Sequence, residues 1–156
     1  MKIMEFVGKI KGEGKNIAIV VSRFNRIVTE KLLEEAKEEL LQHGVDEKNI
    51  DVFRVPGSFE IPFIIKKILD SNRKYQGIIA LAAIIRGETP HFDFVAGEVT
   101  RGIGRLVLEY GIPVTFGIIT ANTMDEAIDR AGGKVGNRGR EAARTLLETL
   151  GIVEEL

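Results

Sequence analysis

The chain has 156 residues, about the length of one domain, of which 44% are apolar and 29% charged, a composition typical of soluble globular proteins. Its formal net charge is −1 and its lysines and arginines form no block, which disfavours a nucleic-acid-binding protein because such proteins carry a basic stripe. It contains no cysteine, which excludes disulfide frameworks, thiolate nucleophiles and cysteine zinc sites.

The N-terminal segment, Lys2–Lys11, alternates apolar and polar residues, as an edge strand does. Such a strand would extend either this chain's own sheet or the sheet of a neighbouring copy. Glu5 places a charge where a signal peptide needs an apolar run. The longest apolar stretch, Ile78–Ile85, is far shorter than the ~20 residues of a membrane span. We therefore expect a cytoplasmic protein that does not interact with membranes.

Beyond this segment, apolar strand-like runs alternate with helical patterns. Val28, Leu32, Ala36 and Leu40 recur about once per helical turn, which indicates a core-facing stripe, and Gly44 follows it as a C-terminal cap. Strands joined by helices through short connections run parallel. We therefore predict a single domain over residues 1–156, a flavodoxin-like three-layer α/β/α sandwich with a four-stranded parallel sheet. The predicted strands are Ile17–Val21, Ile50–Val55, Gly77–Ile84 and Pro113–Ile119, and the predicted helices are Val28–His43, Glu60–Ser71, Pro90–Tyr110, Met124–Ala131 and Arg138–Leu150.

Four unusual segments follow the predicted strands, at the edge where open parallel sheets bind ligands. Together they carry hydroxyl groups, a carboxylate, an imidazole and two aromatic rings. Glycine, proline, serine and asparagine are ordinary turn formers, but turns do not need phenylalanine. Four such loops on one edge therefore favour a binding site. The segments are Ser22–Asn25, Pro56–Glu60, Arg86–His91 and Thr120–Asn122.

The clearest local signal is the run Gly87-Glu88-Thr89-Pro90-His91. Thr89 suits a helix N-cap and Pro90 suits the first helical position, so a helix should begin here, with free N–H groups and its positive dipole end available to a phosphate. His91 falls in the first turn, where the dipole disfavours the imidazolium form and leaves a neutral imidazole for proton transfer. The alternative is a histidine that only packs against the start of the helix.

Aromatic, carboxylate and guanidinium side chains complete the candidate site. Phe24 and Phe116, which we place at strand ends, would stack on a flat heterocycle at ~1–3 kcal/mol per ring, although aromatic residues more often belong to a core. Ser58 and Glu60 would hydrogen-bond a polyol or a uracil-like edge. Arginines beside a glycine-rich turn suit a phosphate clamp, although surface arginines are commonly only solvated. The arginines are Arg130 and Arg138, on either side of Gly132–Asn137.

Six motifs occur in register: Phe24-Asn25, Val55–Pro62, Arg86–Asp93, Thr115–Gly117, Arg130–Gly132 and Gly136–Gly139. In order and spacing they closely resemble the lumazine synthase family over essentially the whole chain. The resemblance implies an enzyme that condenses 5-amino-6-(D-ribitylamino)uracil with 3,4-dihydroxy-2-butanone 4-phosphate to form 6,7-dimethyl-8-ribityllumazine, the penultimate step of riboflavin biosynthesis. No cluster of metal ligands is visible in the sequence, and the reaction requires no cofactor.

The resemblance also implies roles for single residues. Phe24 would stack on the pyrimidinedione ring, His91 would transfer protons, and Arg130 would pair with the phosphate. In such proteins Phe116, Arg130 and the basic residue at position 138 come from a neighbouring subunit. Arg138 replaces a common lysine, which keeps the charge and changes the geometry. The remaining pocket residues would be Ser58, Phe59, Glu60, Ala83, Ile84 and Ile85 for the ribitylaminouracil, and Glu88 and Thr89, through their backbone, for the phosphate.

For the assembly, the resemblance implies pentamers in which the helix Pro90–Tyr110 lines the five-fold axis. Gly97 and Gly104 are seven residues apart on this helix, and each costs about 1 kcal/mol relative to alanine, which close contact between helices would offset. The turn Gly132–Gly139 lacks the insertions of members that stop at pentamers or decamers. We therefore expect a hollow icosahedral 60-mer, with riboflavin synthase as a candidate enclosed partner.

Three other interpretations remain open. A non-enzymatic flavodoxin-like module would use the same loops only to hold a flavin or nucleotide, although Gly102–Gly104 lies within a helical pattern and is not a dinucleotide fingerprint. A structural shell without catalysis would not need the complete set of site residues. An archaeal-type riboflavin synthase is related, but the complete Gly87–His91 segment favours the lumazine-forming step.

Overall fold

A computed structural model describes residues 2–87 and 91–156 of the protein. Its main sheet is four-stranded and all-parallel, in the order β2-β1-β3-β4. The two central strands are aliphatic and buried along nearly their whole length, because helices cover both faces of the sheet. The strands are β1 (Ile17–Ser22), β2 (Ile50–Val55), β3 (Gly77–Ile85) and β4 (Val114–Ala121).

Helices on both faces of the sheet give two separate cores. The helices in the described residues are α1 (Arg26–Gln42), α2 (Ile61–Asp70), α3 (His91–Tyr110), α4 (Met124–Asp129) and α5 (Arg138–Glu154). Helices α1 and α5 share one core with Ile19 and Leu81. Helices α2 and α3 share the other with Val20 and Ala80, because successive strand residues point to opposite faces. The predicted three-layer α/β/α sandwich is confirmed.

The helix boundaries differ from the predicted ones by a few residues. Helix α2 begins at Ile61 because Ser58–Glu60 forms a short 3-10 turn. Gly44 has a φ of +96°, the left-handed conformation of a C-terminal cap, so the predicted end of α1 is confirmed. Among the described residues, no helix combines the length and apolar composition that crossing a bilayer requires.

A short antiparallel hairpin, β5 (Ala131–Gly133) and β6 (Gly136–Asn137), leads into α5. The Asn137 side chain caps α5 by accepting two backbone N–H groups at 2.8 and 3.0 Å. A Cβ atom on Gly139 would lie only 2.1 Å from the Leu32 carbonyl oxygen. Glycine at this position therefore allows the backbones of α1 and α5 to approach closely.

The N-terminal segment forms no strand within residues 2–12, so the expectation that it extends the chain's own sheet is wrong. It crosses α5 instead: a Cβ atom on Gly8 would lie 1.8 Å from the Glu148 carbonyl oxygen, and one on Gly151 would lie 2.5 Å from that of Lys9. This backbone contact places the segment against a helix, and the described residues of the segment pair with no strand of the sheet. Pairing with a neighbouring copy stays a prediction. The exposed large apolar side chains of the segment are Ile3, Met4, Phe6 and Val7.

Candidate active site

A cavity of about 350 Å³ opens at the carboxyl ends of β1, β2 and β3. The strands that follow β1 in sequence lie on opposite sides of it: β2 on one side and β3 on the other. Open parallel sheets bind ligands at the point where the strand order reverses in this way. Three of the four predicted loops line the cavity. The fourth segment, Thr120–Asn122, does not line it, and its first two residues are the last two of the edge strand β4. The lining residues are Phe24, Asn25, Gly57, Ser58, Phe59, Glu60, Ala83, Ile84, Ile85, Gly87, His91, Phe92 and Val95.

The loop after β1 presents an aromatic ring at the cavity. The backbone N–H of Phe24 donates to the Pro56 carbonyl at 3.1 Å, while the Phe24 residue stays 71% exposed. Asn25 has a φ of +63°, a left-handed conformation that asparagine tolerates better than most residues. Its Nδ2 donates to the Ala83 carbonyl oxygen at 2.8 Å. Phe24 is therefore a surface for stacking and not part of the core.

The loop after β2 supplies a second exposed ring and a carboxylate. Ser58–Glu60 forms a 3-10 turn, in which the Glu60 N–H donates to the Gly57 carbonyl at 3.3 Å. Phe59 is 61% exposed. Within residues 2–87 and 91–156, no side chain pairs with the Glu60 carboxylate. Its oxygens are therefore available to a hydrogen-bonding ligand.

The end of β3 and the start of α3 form the remaining walls. Ala83–Ile85 is an apolar strand end in the middle of the sheet. His91, which is exposed, is the first described residue of the 20-residue helix α3 and lines the cavity. The N-terminus of that helix is therefore directed at the cavity edge, where its dipole favours negative charge. The predicted cap and backbone phosphate contacts fall on Glu88, Thr89 and Pro90, outside the described residues.

Three of the predicted ligand-binding residues lie away from this cavity. Phe116 is inside β4 and opposite Ala80, so its predicted position at a strand end is wrong; β4 continues through Ala121 because its apolar run packs in the sheet. Ala80 precedes Ile84 by a distance of ~13 Å along the strand. Phe116 and Arg138 line a separate groove beside β4 and α5. Arg130 ends α4, where its Nη1 donates to a carbonyl of that helix at 3.0 Å.

Five lining residues had no predicted role. Asn25 was detectable as an asparagine directly before a helix, where left-handed backbone is common. Phe92 and Val95 are three residues apart on α3, a spacing that places them on one face of the helix, and they complete the α3 wall. Both glycines belong to loops that were predicted to form the site, and they had no individual role because they carry no side chain. The five are Asn25, Gly57, Gly87, Phe92 and Val95.

The site therefore combines apolar walls, two exposed rings, a carboxylate and an imidazole. Exposed rings stack on flat heterocycles, and a neighbouring carboxylate accepts hydrogen bonds from ring N–H groups or hydroxyls. Histidine transfers protons near neutral pH. In the part of the chain that the structure describes, no three His, Asp or Glu side chains are grouped to hold a metal ion. The arrangement suits acid–base chemistry on a flat polar molecule.

Comparison with known proteins identifies the family. A family model described as 6,7-dimethyl-8-ribityllumazine synthase matches residues 14–154. The chain belongs to the lumazine synthase family. The 6,7-dimethyl-8-ribityllumazine synthase of a Nitratiruptor species is 49% identical over 157 residues, which cover all of both chains. That of Aliarcobacter butzleri is 46% identical and covers all of this chain and 99% of the relative.

Membership of the lumazine synthase family confirms the resemblance inferred from the six motifs. The family match includes every loop that borders the cavity. The full-length relatives are both named for the lumazine-forming reaction, which favours that reaction over a flavodoxin-like binding module and over an archaeal-type riboflavin synthase. The reaction of the site follows from this membership together with its geometry.

Proposed function

We propose that the chain, a transferase of riboflavin biosynthesis, condenses 5-amino-6-(D-ribitylamino)uracil with 3,4-dihydroxy-2-butanone 4-phosphate in this cavity. The products are 6,7-dimethyl-8-ribityllumazine, phosphate and water. The observation that carries the proposal is the convergence of Phe24, Glu60 and His91 on one cavity. A stacking surface, a hydrogen-bond acceptor and a proton-transfer group thereby meet at one place.

The pyrimidine substrate fits the walls of the described cavity. Its flat ring stacks on Phe24 at ~1–3 kcal/mol, beside the exposed ring of Phe59. Glu60 accepts hydrogen bonds from ring N–H groups or ribityl hydroxyls, and Ser58 contributes a hydroxyl. The strand end Ala83–Ile85 forms the apolar side of the ring pocket. The exposure of both rings in the free protein supports this assignment.

The phosphate substrate binds beside the start of α3. Backbone N–H groups at Glu88 and Thr89 and the dipole of the helix favour the phosphate, and Arg130 of a neighbouring subunit pairs with it. Arg138 contributes less, because its Nη1 already bonds both carboxylate oxygens of Glu141, at 3.1 and 2.7 Å. A phosphate at Arg138 must compete with that pair.

The chemistry consists of bond formation between two bound molecules. The C5 amine attacks the ketone carbon, and loss of water gives a Schiff base. Loss of the C3 proton then expels phosphate from the terminal carbon, and the resulting enol takes up a proton at that carbon to become a ketone. The ribitylamino nitrogen attacks this ketone, and loss of a further water closes the ring. His91 transfers the protons, a contribution of ~10²–10⁴-fold, and the remaining acceleration comes from holding both molecules in reacting geometry.

A second copy of the chain completes the site. The described lining residues of the cavity include no arginine, although a phosphate substrate calls for one. Phe116, at 44% exposure, lies on the edge strand β4 beside Arg138. An exposed ring on the edge strand is well placed to enter the cavity of a neighbour, and Arg130 of the same chain would supply the guanidinium for the phosphate. The N-terminal segment would add an edge strand to the sheet of a neighbouring copy, which would also cover its exposed apolar side chains.

The assembly that follows is a pentamer around α3, and twelve pentamers form an icosahedral 60-mer. Phe94 and Leu108 on α3 are 70% and 88% exposed in the single chain, and such side chains favour contact between subunits. Riboflavin synthase is a candidate partner inside the shell, and the cytoplasm is the proposed location. Sedimentation tests the assembly, and a particle of only a few chains would contradict the capsid.

One assay tests the proposed reaction. Purified protein is mixed with both substrates, and the lumazine chromophore and phosphate release are followed together. Equal amounts of both products are expected, and neither product forms when one substrate is omitted. Phe24→Ala is expected to raise the KM for the pyrimidine substrate. Protein that assembles but binds neither substrate, even at high concentration of both, would overturn the proposal.

A further inference from the structure

Arg86 is the first residue after β3, and its side chain is anchored to the connection that follows β4. Its backbone N–H donates to the Ala121 carbonyl at 2.8 Å. Its Nε donates to Asn122 Oδ1 at 3.0 Å. Asn122 is itself held, because its N–H donates to Glu126 Oε2 at 2.9 Å. The guanidinium is therefore fixed to a part of the fold that lies outside the cavity.

The same guanidinium contacts the first turn of α3. Its central carbon lies 4.4 Å from the centroid of the Phe92 ring, a cation–π distance. Its Nη2 lies 3.6 Å from Asp93 Oδ1. Phe92 and Asp93 directly follow His91 in sequence, and Phe92 also lines the cavity. One planar group thus joins the β4–α4 connection to the two residues next to the proposed proton-transfer group.

We propose that Arg86 is a positioning residue that sets the placement of His91 in the cavity; the inference rests on the proposed function. Arg86 is not among the lining residues, so it acts through the start of α3. Its hydrogen bond, ring contact and ion pair use the fixed fork and the flat face of a guanidinium, which lysine lacks. Displacement of a reacting group by about 1 Å costs up to ~100-fold in rate, so loss of this support slows the reaction.

The first test separates kcat from KM. Arg86→Ala is expected to lower kcat by about tenfold, part of the ~10²–10⁴-fold that a proton-transfer group supplies. The KM for the pyrimidine substrate should stay unchanged, because the walls at Phe24 and Glu60 do not depend on Arg86. Arg86→Lys should recover part of the loss, since it keeps the charge near Asp93 without the planar contacts.

A matched control is Arg54→Ala, which removes another partly exposed arginine with a carboxylate partner, Glu30. It is expected to leave kcat unchanged. Circular dichroism and sedimentation establish that each variant folds and assembles.

Asn122→Ala, which removes only the anchor of the guanidinium, keeps the inference testable if Arg86→Ala fails to assemble. It should lower kcat in the same direction, and unchanged kcat in both Asn122→Ala and Arg86→Lys would overturn the inference.

The second test is a double-mutant cycle with His91→Ala. If Arg86 acts through His91, adding Arg86→Ala to His91→Ala should cost no further activity, because residues that act as a unit are non-additive. If Arg86→Ala lowers activity by the same factor in the wild type and in His91→Ala, the inference is overturned. If His91→Ala lowers kcat and Arg86→Ala does not, the positioning role of Arg86 is wrong, while the proposed role of His91 stands. Normal kcat in His91→Ala would instead overturn the proposed role of His91.

Discussion

The Asn25 side chain donates a hydrogen bond to the Ala83 carbonyl oxygen, 2.8 Å away, and so joins the loop after β1 to the end of β3. These strands are neighbours in the sheet, and the cavity opens above their ends. Among residues 2–87 and 91–156, Asn25 is also the non-glycine residue with a positive φ. One side chain thus combines a local backbone conformation with a long-range contact at the cavity.

Substitution of Asn25 should reveal both effects. Asn25→Ala is expected to lower the free energy of unfolding by about 2–3 kcal/mol, from the lost hydrogen bond at ~1 kcal/mol and the left-handed backbone at ~1–2 kcal/mol. Asn25→Gly keeps the backbone conformation and should cost less. Scanning calorimetry measures the difference. Equal destabilisation by alanine and glycine would show that the left-handed conformation does not contribute.

Removal of the imidazole should slow the reaction without abolishing it. His91→Ala is expected to lower kcat by ~10²-fold or more, with measurable turnover left because both substrates are still held together. His43→Ala is the matched control, since His43 lies at the end of α1 and contacts Glu39 at 3.2 Å. Steady-state kinetics decide, and complete loss of activity in a folded His91→Ala protein would contradict the importance of positioning.

Arg130→Ala should act on the phosphate substrate. Loss of a charged hydrogen bond worth about 1.5–3 kcal/mol corresponds to a rise in KM of about 10–100-fold for the butanone phosphate. Arg138→Ala should have a smaller effect, because Glu141 already occupies that guanidinium. The two KM values are measured separately. If Arg130→Ala weakened only the pyrimidine substrate, the assignment would be wrong.

Mixed assemblies test whether two chains share one site. Chains with Phe24→Ala and chains with Arg130→Ala are each expected to be poorly active. When both are unfolded and reassembled together, roughly a quarter of head-to-tail interfaces pair an intact Phe24 with an intact Arg130. Activity should rise above that of either variant alone. No recovery in correctly assembled mixtures would place both residues of a site on the same chain.

The Arg54–Glu30 pair predicts a small acid-dependent stability. The Arg54 guanidinium hydrogen-bonds to Glu30 and lowers the pKa of that carboxyl below its ordinary value. Since the folded pKa is below the unfolded pKa, the pair stabilises the fold above the ordinary carboxyl pKa, and this stabilisation is lost as the pH falls through the folded pKa. Both groups are partly exposed, which keeps the effect small.

The measurement for this pair is the difference in thermal unfolding midpoint between the wild type and Arg54→Ala. The difference should be present at neutral pH and should shrink in the acid range. Arg73→Ala is the comparison, because it removes a more exposed arginine whose carboxylate partner, Asp51, is 3.7 Å away; its pH-dependent difference should be smaller. A difference that stays constant with pH would show that the ion pair is not its source.

The local features of this protein could be predicted from its sequence, because they depend on neighbouring residues. Strand and helix positions follow from apolar periodicity, and the end of α1 follows from Gly44, whose φ is +96°. The loops after β1, β2 and β3 could be predicted as a site, since parallel strands bring their carboxyl ends to one edge. Eight predicted site residues do line the cavity: Phe24, Ser58, Phe59, Glu60, Ala83, Ile84, Ile85 and His91.

Only the tertiary structure decided which of these features meet. The order β2-β1-β3-β4 makes β4 an edge strand, so its loop, Phe116 and the following arginines lie away from the cavity. Strand order and the bond from Asn25 to Ala83, 58 residues apart, arise from packing between distant segments. Periodicity reports only which way a side chain faces in its own element. The path of the N-terminal segment over α5 was unpredictable for the same reason, since an alternating pattern does not specify the surface that it meets.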